Sequence, residues 1–408
     1  MPEFLTPAVG IFLLTYLGVA LGEIPGLAID RTGIALLGGV AMIAFGVLNT
    51  EEAVGAVDMP TILLLFGLMV LSSQFRLGGF YTHVALQLTR FMDRPALFLW
   101  GLMVVSALLS AVLANDIVCL AFTPVLCWSL SRRGLNPLPY LLGLAISSNI
   151  GSAATIIGNP QNMLIGQVAN LSFLHFTLWC SIPSVFALAA AFAILVGLFR
   201  GAWMAKGPAI PKGDWPDYDR RQSAKGLVVT ALLIASFFTS VPRELSALVA
   251  AGVLLCSRRM ATRSIMGLVD WHLITLFIGL FVVVRGFENT GWPAYIVETL
   301  RAHGIHLDAP MVLAGLSAVL SNLVSNVPAV MLLTKFIPTS PPEPWYVLAL
   351  ASTFAGNLIT IGSIANLIVI EQAKQSGIEI SFADHARAGI PVTLASFAIL
   401  YAWIALAA

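Results

Sequence analysis

The sequence is 408 residues long, and 58% of these residues are hydrophobic whereas only 10% are charged. Charged residues make up about 25% of a typical soluble domain, so the composition excludes an ordinary soluble protein and predicts an integral membrane protein in contact with a lipid bilayer. The net charge is +1 and no basic stripe is present, so the sequence gives no indication of a nucleic-acid partner.

Taken in chain order, the sequence contains eight apolar runs that we interpret as membrane-spanning segments. They cover 4–22, 32–48, 60–76, 176–199, 226–241, 244–257, 271–287 and 389–407. Four further apolar blocks, interrupted by Asn, Gly, Ser or Pro, cover 96–131, 138–171, 310–337 and 345–372. The residues before the first apolar run include Glu3 and no Lys or Arg, whereas a signal peptide begins with a basic segment. We therefore expect the first run to be a retained helix and not a signal peptide.

The distribution of charge predicts the topology. If the chain starts outside, all but four of its 21 Lys and Arg residues are cytoplasmic, as the positive-inside rule requires. The four on the outer side are Arg243, Arg285, Arg301 and Lys335. Both termini are then external, and blocks 96–131 and 310–337 must be re-entrant hairpins, because return arms over about 117–130 and 327–337 are too short to cross. Two ordinary antiparallel helices in each block are the alternative.

Internal similarity predicts two related halves. LSAVLAN at 109–115 returns as LSAVLSN at 316–322, DMPTILLLFGLMVL at 58–71 resembles DWHLITLFIGLFVV at 270–283, and GNPQN at 158–162 aligns with GSIAN at 362–366. We predict a first repeat at 1–200, a cytoplasmic linker at 201–225 and a second repeat at 226–408. Each repeat has five transmembrane helices, an odd number, so the second enters the membrane from the opposite face. The predicted fold is an all-α membrane protein with two inverted-topology repeats, each with one re-entrant hairpin and with broken helices at the midplane.

The breaks carry the polar chemistry. Asn159 followed by Pro160 is typical of a helix start, because Asn accepts a hydrogen bond at the N-cap and Pro suits the first helical position. We expect Asn326, with Pro328 close behind it, to act in the same way. The free N–H groups of both restarted helices would then favour an oxygen-rich or anionic solute.

Asp116 is the one acidic residue that lies well inside an apolar block. A carboxylate at the centre of a transmembrane helix costs about 2.5–3.5 kcal/mol on insertion scales, so such a residue is a candidate for function, here as a proton carrier. A neutral carboxyl that holds the hairpin tip is the alternative. We expect all six histidines to be interfacial, and we expect interfacial helices at 80–94 and 292–303.

The quoted motifs resemble those of a known family. SAVLAND, SNIGSAATIIGNPQN and SNLVSNVPAVMLL are similar to the arsenite/antimonite permease family of the ion-transporter superfamily, over nearly the whole chain. The resemblance implies a secondary efflux carrier that exchanges trivalent arsenite or antimonite for protons across the bacterial inner membrane, without a cofactor. A cytosolic ATPase subunit is optional in that family, and a homodimer stays open. The residues that would line the site are Asn115, Asp116, Asn149, Thr155, Asn159, Asn162, Asn322, Ser325, Asn326, Asn357, Thr360 and Asn366.

Other functions stay open at this point. A sodium/proton antiporter could use Asp116 and the amide oxygens, and a dicarboxylate-type anion carrier belongs to the same superfamily. The Ser-Asn-Thr signature of the dicarboxylate branch is incomplete, because the nearest fits are Ser148-Asn149-Ile150 and Gly356-Asn357-Leu358. No catalytic Ser/His/Asp set, HExxH motif or metal cluster is evident, so we do not expect an enzyme. Cys119 could ligate a metalloid through its thiol, but packing explains it more simply.

Overall fold

The structure is a computed structural model that describes residues 6–22, 26–204, 210, 215–307, 309–338 and 340–407. This part of the chain is helical and contains no β-strand beyond one isolated bridge between Leu135 and Met204. The helices are α1 (Pro7–Leu21), α2 (Arg31–Ala44), α3 (Thr50–Ala56), α4 (Met59–Leu77), α5 (Phe80–Leu88), α6 (Pro95–Val112), α7 (Asn115–Arg133), α8 (Leu138–Ser152), α9 (Pro160–Val168), α10 (Phe173–Leu198), α11 (Arg220–Ser236), α12 (Arg243–Leu255), α13 (Thr262–Met266), α14 (Trp271–Glu288), α15 (Trp292–Ala302), α16 (Pro310–Val324), α17 (Asn326–Leu333), α18 (Glu343–Ala355), α19 (Ile364–Gln375) and α20 (Phe382–Ala407).

The protein is an integral membrane protein. All eight apolar runs form helices, and five helices of the described residues are both long enough and apolar enough to cross a bilayer, namely α4, α6, α10, α14 and α20. Helices are expected here because the hydrocarbon core offers no water to the backbone, so the N–H and C=O groups must bond within the segment. The prediction of an all-α membrane fold is confirmed.

The order of elements repeats along the chain. Helices α4 to α10 and α14 to α20 follow the same sequence of long, short and broken elements, and α10 and α20 both have 26 residues. Asp58 caps α4 by accepting a bond from Thr61 N at 2.8 Å, and Asp270 caps α14 through Leu273 N at 2.9 Å. Gly79 and Gly291, which precede α5 and α15, have φ values of 65° and 76°, a conformation that disfavours other residues.

Two counterpart helices run in opposite directions. Asp58, at the start of α4, lines the same small cavity as Arg285 and Glu288, at the end of α14, whereas Phe66, further along α4, packs against Trp271 at the start of α14 with ring centroids 6.1 Å apart. This antiparallel pair is what inverted repeats require. The inverted relation of the two whole halves stays a prediction.

The halves interlock through small residues. A Cβ added at Gly279 of α14 would lie 2.5 Å from the carbonyl oxygen of Ala35 in α2, and one at Gly67 of α4 would lie 2.7 Å from the backbone of Ala247 in α12. Small residues allow membrane helices to approach closely enough for extensive van der Waals contact. Each half therefore packs one of its helices against a long helix of the other.

Three predicted boundaries need correction or qualification. The return arm of the first hairpin is a helix of 19 residues, α7, so it is longer than predicted and its length alone does not decide between return and crossing. The second return helix, α17, has eight residues. Helix α11 begins at Arg220, so the last six residues of the predicted linker are helical. Lys206 and Lys212, predicted to be cytoplasmic, lie outside the described residues.

The start of α11 is fixed by Asp219, which lies in a partly exposed position before the helix. Its carboxylate accepts bonds from the backbone N–H of Gln222 at 3.1 Å and of Arg221 at 2.9 Å, and it pairs with Arg259 at 3.0 Å. The bond from Gln222, together with the other donors and the Arg259 charge, lowers the pKa of the Asp219 carboxyl from its ordinary value.

Candidate functional site

Both predicted helix breaks are present, and each restarted helix is capped by a polar side chain. The first break separates α8, which ends at Ser152, from α9, which begins at Pro160. Asn159 Oδ1 accepts a bond from Asn162 N at 2.9 Å, so its predicted N-cap role is confirmed. In the second break, Ser363 Oγ caps α19 by accepting from Ala365 N at 3.3 Å.

Asn162 and Asn366 perform the same task in the two breaks. The Nδ2 group of Asn162 donates to the carbonyls of Ser152 at 3.3 Å and Thr155 at 2.9 Å. The Nδ2 group of Asn366 donates to the carbonyls of Gly356 at 2.7 Å and Ile359 at 3.3 Å. Asn162 and its two acceptors, Ser152 and Thr155, each precede their counterparts in the second half by 204 positions. The counterparts are Asn366, Gly356 and Ile359. These bonds satisfy carbonyls that the interrupted helices leave free.

Four asparagines connect the halves, and we call Asn115, Asn149, Asn357 and Asn366 the amide cluster. All four are buried. Asn149 Nδ2 donates to Asn357 Oδ1 at 2.9 Å and to Asn366 Oδ1 at 3.1 Å. Asn149 Oδ1 accepts from Asn115 Nδ2 at 3.3 Å and from Ser363 Oγ at 2.9 Å. One side chain at the end of α8 therefore joins the first hairpin tip to the second break.

A reciprocal contact runs from the second half to the first. Thr353, in the last turn of α18, accepts bonds from Asn159 Nδ2 and Gln161 Nε2, each at 3.3 Å. Its own hydroxyl hydrogen goes to the Ala349 carbonyl at 2.8 Å. The two breaks are thus held by side chains of the opposite half.

Asp116 lies at the first hairpin tip, as the second residue of α7, and it is partly buried. Among the described residues, its carboxylate makes neither a hydrogen bond nor an ion pair. The charged group that interacts with it electrostatically is Asp270, the N-cap of α14. The tip therefore presents an acid that no partner holds in place, which does not favour the alternative role as a structural carboxyl.

The second tip differs from the prediction. Asn326 is the first residue of α17 and not its N-cap; Ser325 occupies the N-cap position, with no capping bond from its side chain. The Asn326 amide nitrogen donates to the carbonyls of Gly362 at 2.7 Å and Ser352 at 3.2 Å, the orientation required because both partners can only accept. Asn326 thus serves the neighbouring break and not its own helix.

Three other predicted residues lie at the edge of this arrangement. Asn322 lies within α16 and donates to the carbonyls of Ala318 at 2.9 Å and Ala355 at 3.1 Å. Thr155 donates to the Ala111 carbonyl. Thr360 begins the short 3-10 turn of the second break and is partly exposed, without a bond to the amide cluster in the described part of the chain.

Several buried amide atoms have no hydrogen-bond partner. Among the predicted site residues, these are the Oδ1 atoms of Asn115, Asn162 and Asn322 and the Nδ2 atom of Asn357. Leaving a buried polar atom unpaired costs about 1–3 kcal/mol, so such atoms need an explanation, and a bound solute is one. A solute hydroxyl both donates and accepts, so it can pair with unpaired atoms of either kind.

Sequence reasoning placed His385 wrongly. We expected every histidine at an interface, but His385 is buried at the start of α20, and its Nε2 donates to the Asn357 carbonyl at 3.1 Å. The contact is close because Gly389, one turn later, lets the Asn357 backbone approach the helix. Ser363 and Thr353 were also missed, since isolated hydroxyl residues in apolar helices usually bond to their own backbone.

Comparison with known proteins places the chain in a family. The citrate transporter model, CitMHS, matches residues 16–355. The chain belongs to this family. The silicon efflux transporter LSI3 of Oryza sativa subsp. japonica is 30% identical, over 92% of this chain and 93% of its own. The putative transporter arsB of Dictyostelium discoideum is 23% identical, over 90% of this chain and 86% of its own.

A solved structure gives the same fold. The YdaH transporter of Alcanivorax borkumensis superposes with a TM-score of 0.57 at 14% identity, and the match covers 98% of each chain. This likeness shows the fold alone. The protein is therefore a membrane transporter of the citrate transporter family with a known transporter architecture, whereas the arsenite-specific assignment is not shown.

The positive charges nearest to the site are bonded elsewhere. Among the described residues, no Lys or Arg hydrogen-bonds to the amide cluster. Lys335 and Arg285, the nearest candidates from the sequence, both pair with Glu288, at 3.1 and 3.4 Å. Arg243 instead caps the end of α9 by donating to the carbonyls of Gly166 and Leu171, each at 2.9 Å. These cations are used at one edge of the molecule and not in the cluster.

Proposed function

We propose that this protein is a secondary active efflux transporter that carries a small, uncharged, hydroxylated solute out of the cell in exchange for protons. Arsenite and antimonite are the first candidate solutes. The observation that carries the proposal is the amide cluster, which joins both halves and offers one unpaired oxygen, Asn115 Oδ1, and one unpaired N–H, on Asn357 Nδ2, with no Lys or Arg hydrogen-bonded to it in the described part of the chain.

The chemistry of the cluster favours such a solute over a multiply charged one. Trivalent arsenic and antimony are hydroxides without net charge near neutral pH, so they need donors and acceptors but no counter-ion. A citrate-like anion would need compensation beyond helix N-termini, each of which supplies about half a charge. The relative named as a silicon efflux transporter supports this choice, because silicon in neutral water is also an uncharged hydroxide.

Asp116 is the proposed proton carrier. It lies next to Asn115, whose amide contacts Asn149, so a change of charge on the carboxylate acts one residue away from the cluster. Protonation removes the charge, and movement of the first tip through the membrane then avoids about 2.5–3.5 kcal/mol. Deprotonation on the other side would complete the exchange.

The proposed arrangement in the membrane follows the charge pattern. We place the protein in the bacterial inner membrane with both termini outside, and with inverted repeats that expose the amide cluster to one side at a time. The antiparallel course of α4 and α14 supports the inverted relation.

A second candidate is a carrier of di- or tricarboxylates, which the family name favours. A third is a sodium/proton antiporter, for which the unpaired Oδ1 atoms would supply cation ligands. The lack of Lys or Arg in the described cluster weighs against the former. A sodium/proton antiporter requires no organic or metalloid solute, so one transport experiment distinguishes it from the carboxylate carrier.

The test uses proteoliposomes of the full chain with an imposed pH gradient. Arsenite, antimonite, silicic acid, citrate and Na⁺ are offered in turn, and accumulation and proton flux are followed. We expect saturable, gradient-driven movement of arsenite or antimonite, and loss of the gradient dependence in Asp116→Asn. Gradient-driven citrate or Na⁺ movement without an effect of the hydroxides would overturn the proposal. Unchanged coupling in Asp116→Asn would remove Asp116 from the mechanism.

A further inference from the structure

The two helix breaks use corresponding positions for their caps and for the amide that satisfies the free carbonyls, but they differ at a third position that contacts the opposite half. At the shared offset of 204, Asn159 corresponds to Ser363 and Asn162 corresponds to Asn366, and each pair performs the same task. By the same offset, Asn149 corresponds to Thr353. At this position the first half has an amide side chain and the second half has a hydroxyl side chain.

This difference decides which amide oxygen is left unpaired. Asn149 is long enough for its Nδ2 to reach Asn366 Oδ1 at 3.1 Å, so that oxygen is satisfied. Thr353 has a shorter side chain, and its one hydrogen is given to Ala349. It therefore has no donor for Asn162 Oδ1, which is buried without a partner.

The orientation of the Asn162 amide is fixed by its neighbours. Its nitrogen faces the carbonyls of Ser152, Ala153 and Thr155, at 2.9 to 3.4 Å, and a carbonyl can only accept. The atom that stays unpaired is therefore an acceptor. It lies in the first turn of α9, so backbone N–H groups are close to it.

We propose that Thr353 determines the specificity of the transport site by leaving Asn162 Oδ1 free to accept a hydrogen bond from a hydroxyl group of the solute. The inference rests on the proposed function, because it names the group that the same site recognises. A cation is a poorer occupant than a hydroxyl, since the three nearest carbonyls already accept the Asn162 amide hydrogens and a cation needs about six oxygen ligands.

The test restores the missing contact. Thr353→Asn gives the second half the residue that the first half has at this place, so the new amide should donate to Asn162 Oδ1 as Asn149 donates to Asn366. We expect the apparent Kd for a hydroxylated solute to rise on the order of tenfold, the effect of losing one hydrogen bond at its upper range. The thermal unfolding temperature without solute should not fall, because a buried acceptor gains a donor.

Binding is measured on the purified full chain as the shift in thermal unfolding with arsenite, silicic acid and citrate, each with and without Na⁺. Thr353→Ser keeps the hydroxyl and should restore the wild-type Kd. Thr239→Asn makes the same substitution at an exposed position on the α11–α12 loop and should leave binding unchanged. If Thr353→Asn does not fold, Thr353→Gln carries the same donor on a longer side chain.

Three results would overturn the inference. They are an unchanged Kd in the folded Thr353→Asn variant, stabilisation of the wild type by none of the hydroxylated solutes, and a loss of Na⁺ binding alone, which would identify a cation ligand. Equilibrium binding requires no pH gradient, so a failure of proton coupling would refute the proposed function and leave this test intact.

Discussion

The two hairpin tips start their return helices with the same residue type and then diverge. Asn115 is the first residue of α7 and is followed by Asp116, whereas Asn326 is the first residue of α17 and is followed by Val327. The Asn115 amide makes one bond of 3.3 Å and leaves its Oδ1 unpaired. The Asn326 amide makes two bonds, to Gly362 and to Ser352.

The backbone conformations before the two return helices also differ. Ala114, before α7, has φ −54° and ψ 123°, which any residue adopts. Ser325, before α17, has φ 74° and ψ 161°, a region that is nearly reserved for glycine. The second tip is strained and tightly bonded, and the first is relaxed and loosely bonded. A common frame thus supports a titratable tip in one half and a fixed tip in the other.

Moving the carboxyl group from the first tip to the second should have the largest effect on transport and stability. In Asp116→Asn combined with Val327→Asp, we expect gradient-driven transport to stay absent, because Val327 is only 4% exposed and packs in the core, whereas Asp116 is partly buried. A charge there costs about 2.5–3.5 kcal/mol, so the unfolding temperature should fall as well. Val327→Thr controls for polarity without charge. Recovery of proton-driven transport in the double variant would mean that the tips are equivalent.

Truncating the two asparagines should separate a fixed tip from a loose one. Asn326→Ala removes the donors of two buried carbonyls, so we expect a loss of about 2–3 kcal/mol in the free energy of unfolding. The same truncation at Asn115 removes one long bond and should cost about 1 kcal/mol. Denaturant unfolding in mild detergent measures both. Equal losses would contradict the assigned difference between the tips.

The sequence predicts the frame well and the tips less well, for a physical reason. Asn159-Pro160 indicates a helix start because the Asn side chain caps the helix and the Pro ring fits the first helical position, so this break was predicted correctly. LSAVLAN and LSAVLSN instead align Asn115 with Asn322, although the structural counterpart of Asn115 is Asn326. Apolar residues near the end of a helix do not indicate at which residue the helix ends. Here α16 continues to Val324 and ends at Ser325, whose backbone is not helical.

The same limit explains His385 and Thr353. A histidine near Asp384 and Arg387 at the start of a helix has the composition of an interface, and its burial depends on a long-range contact with the Asn357 carbonyl. Thr353 acquires a role only through residues nearly 200 positions away. Such contacts depend on how the halves pack, which local patterns do not encode.

The smallest expected effect concerns the strain at the second tip. Ser325→Gly should raise the free energy of unfolding by about 1 kcal/mol, because glycine adopts φ 74° without the penalty that Ser325 has, and this gain exceeds the added entropy of the unfolded chain. Ala114→Gly, at the relaxed tip, should lower it by about 0.5–1 kcal/mol, since only the entropic term remains. The two variants introduce the same residue at counterpart positions, so opposite signs in thermal unfolding are the signature of one strained and one relaxed tip. Matching signs would mean that the serine is not strained and that the difference between the tips lies in their side chains alone.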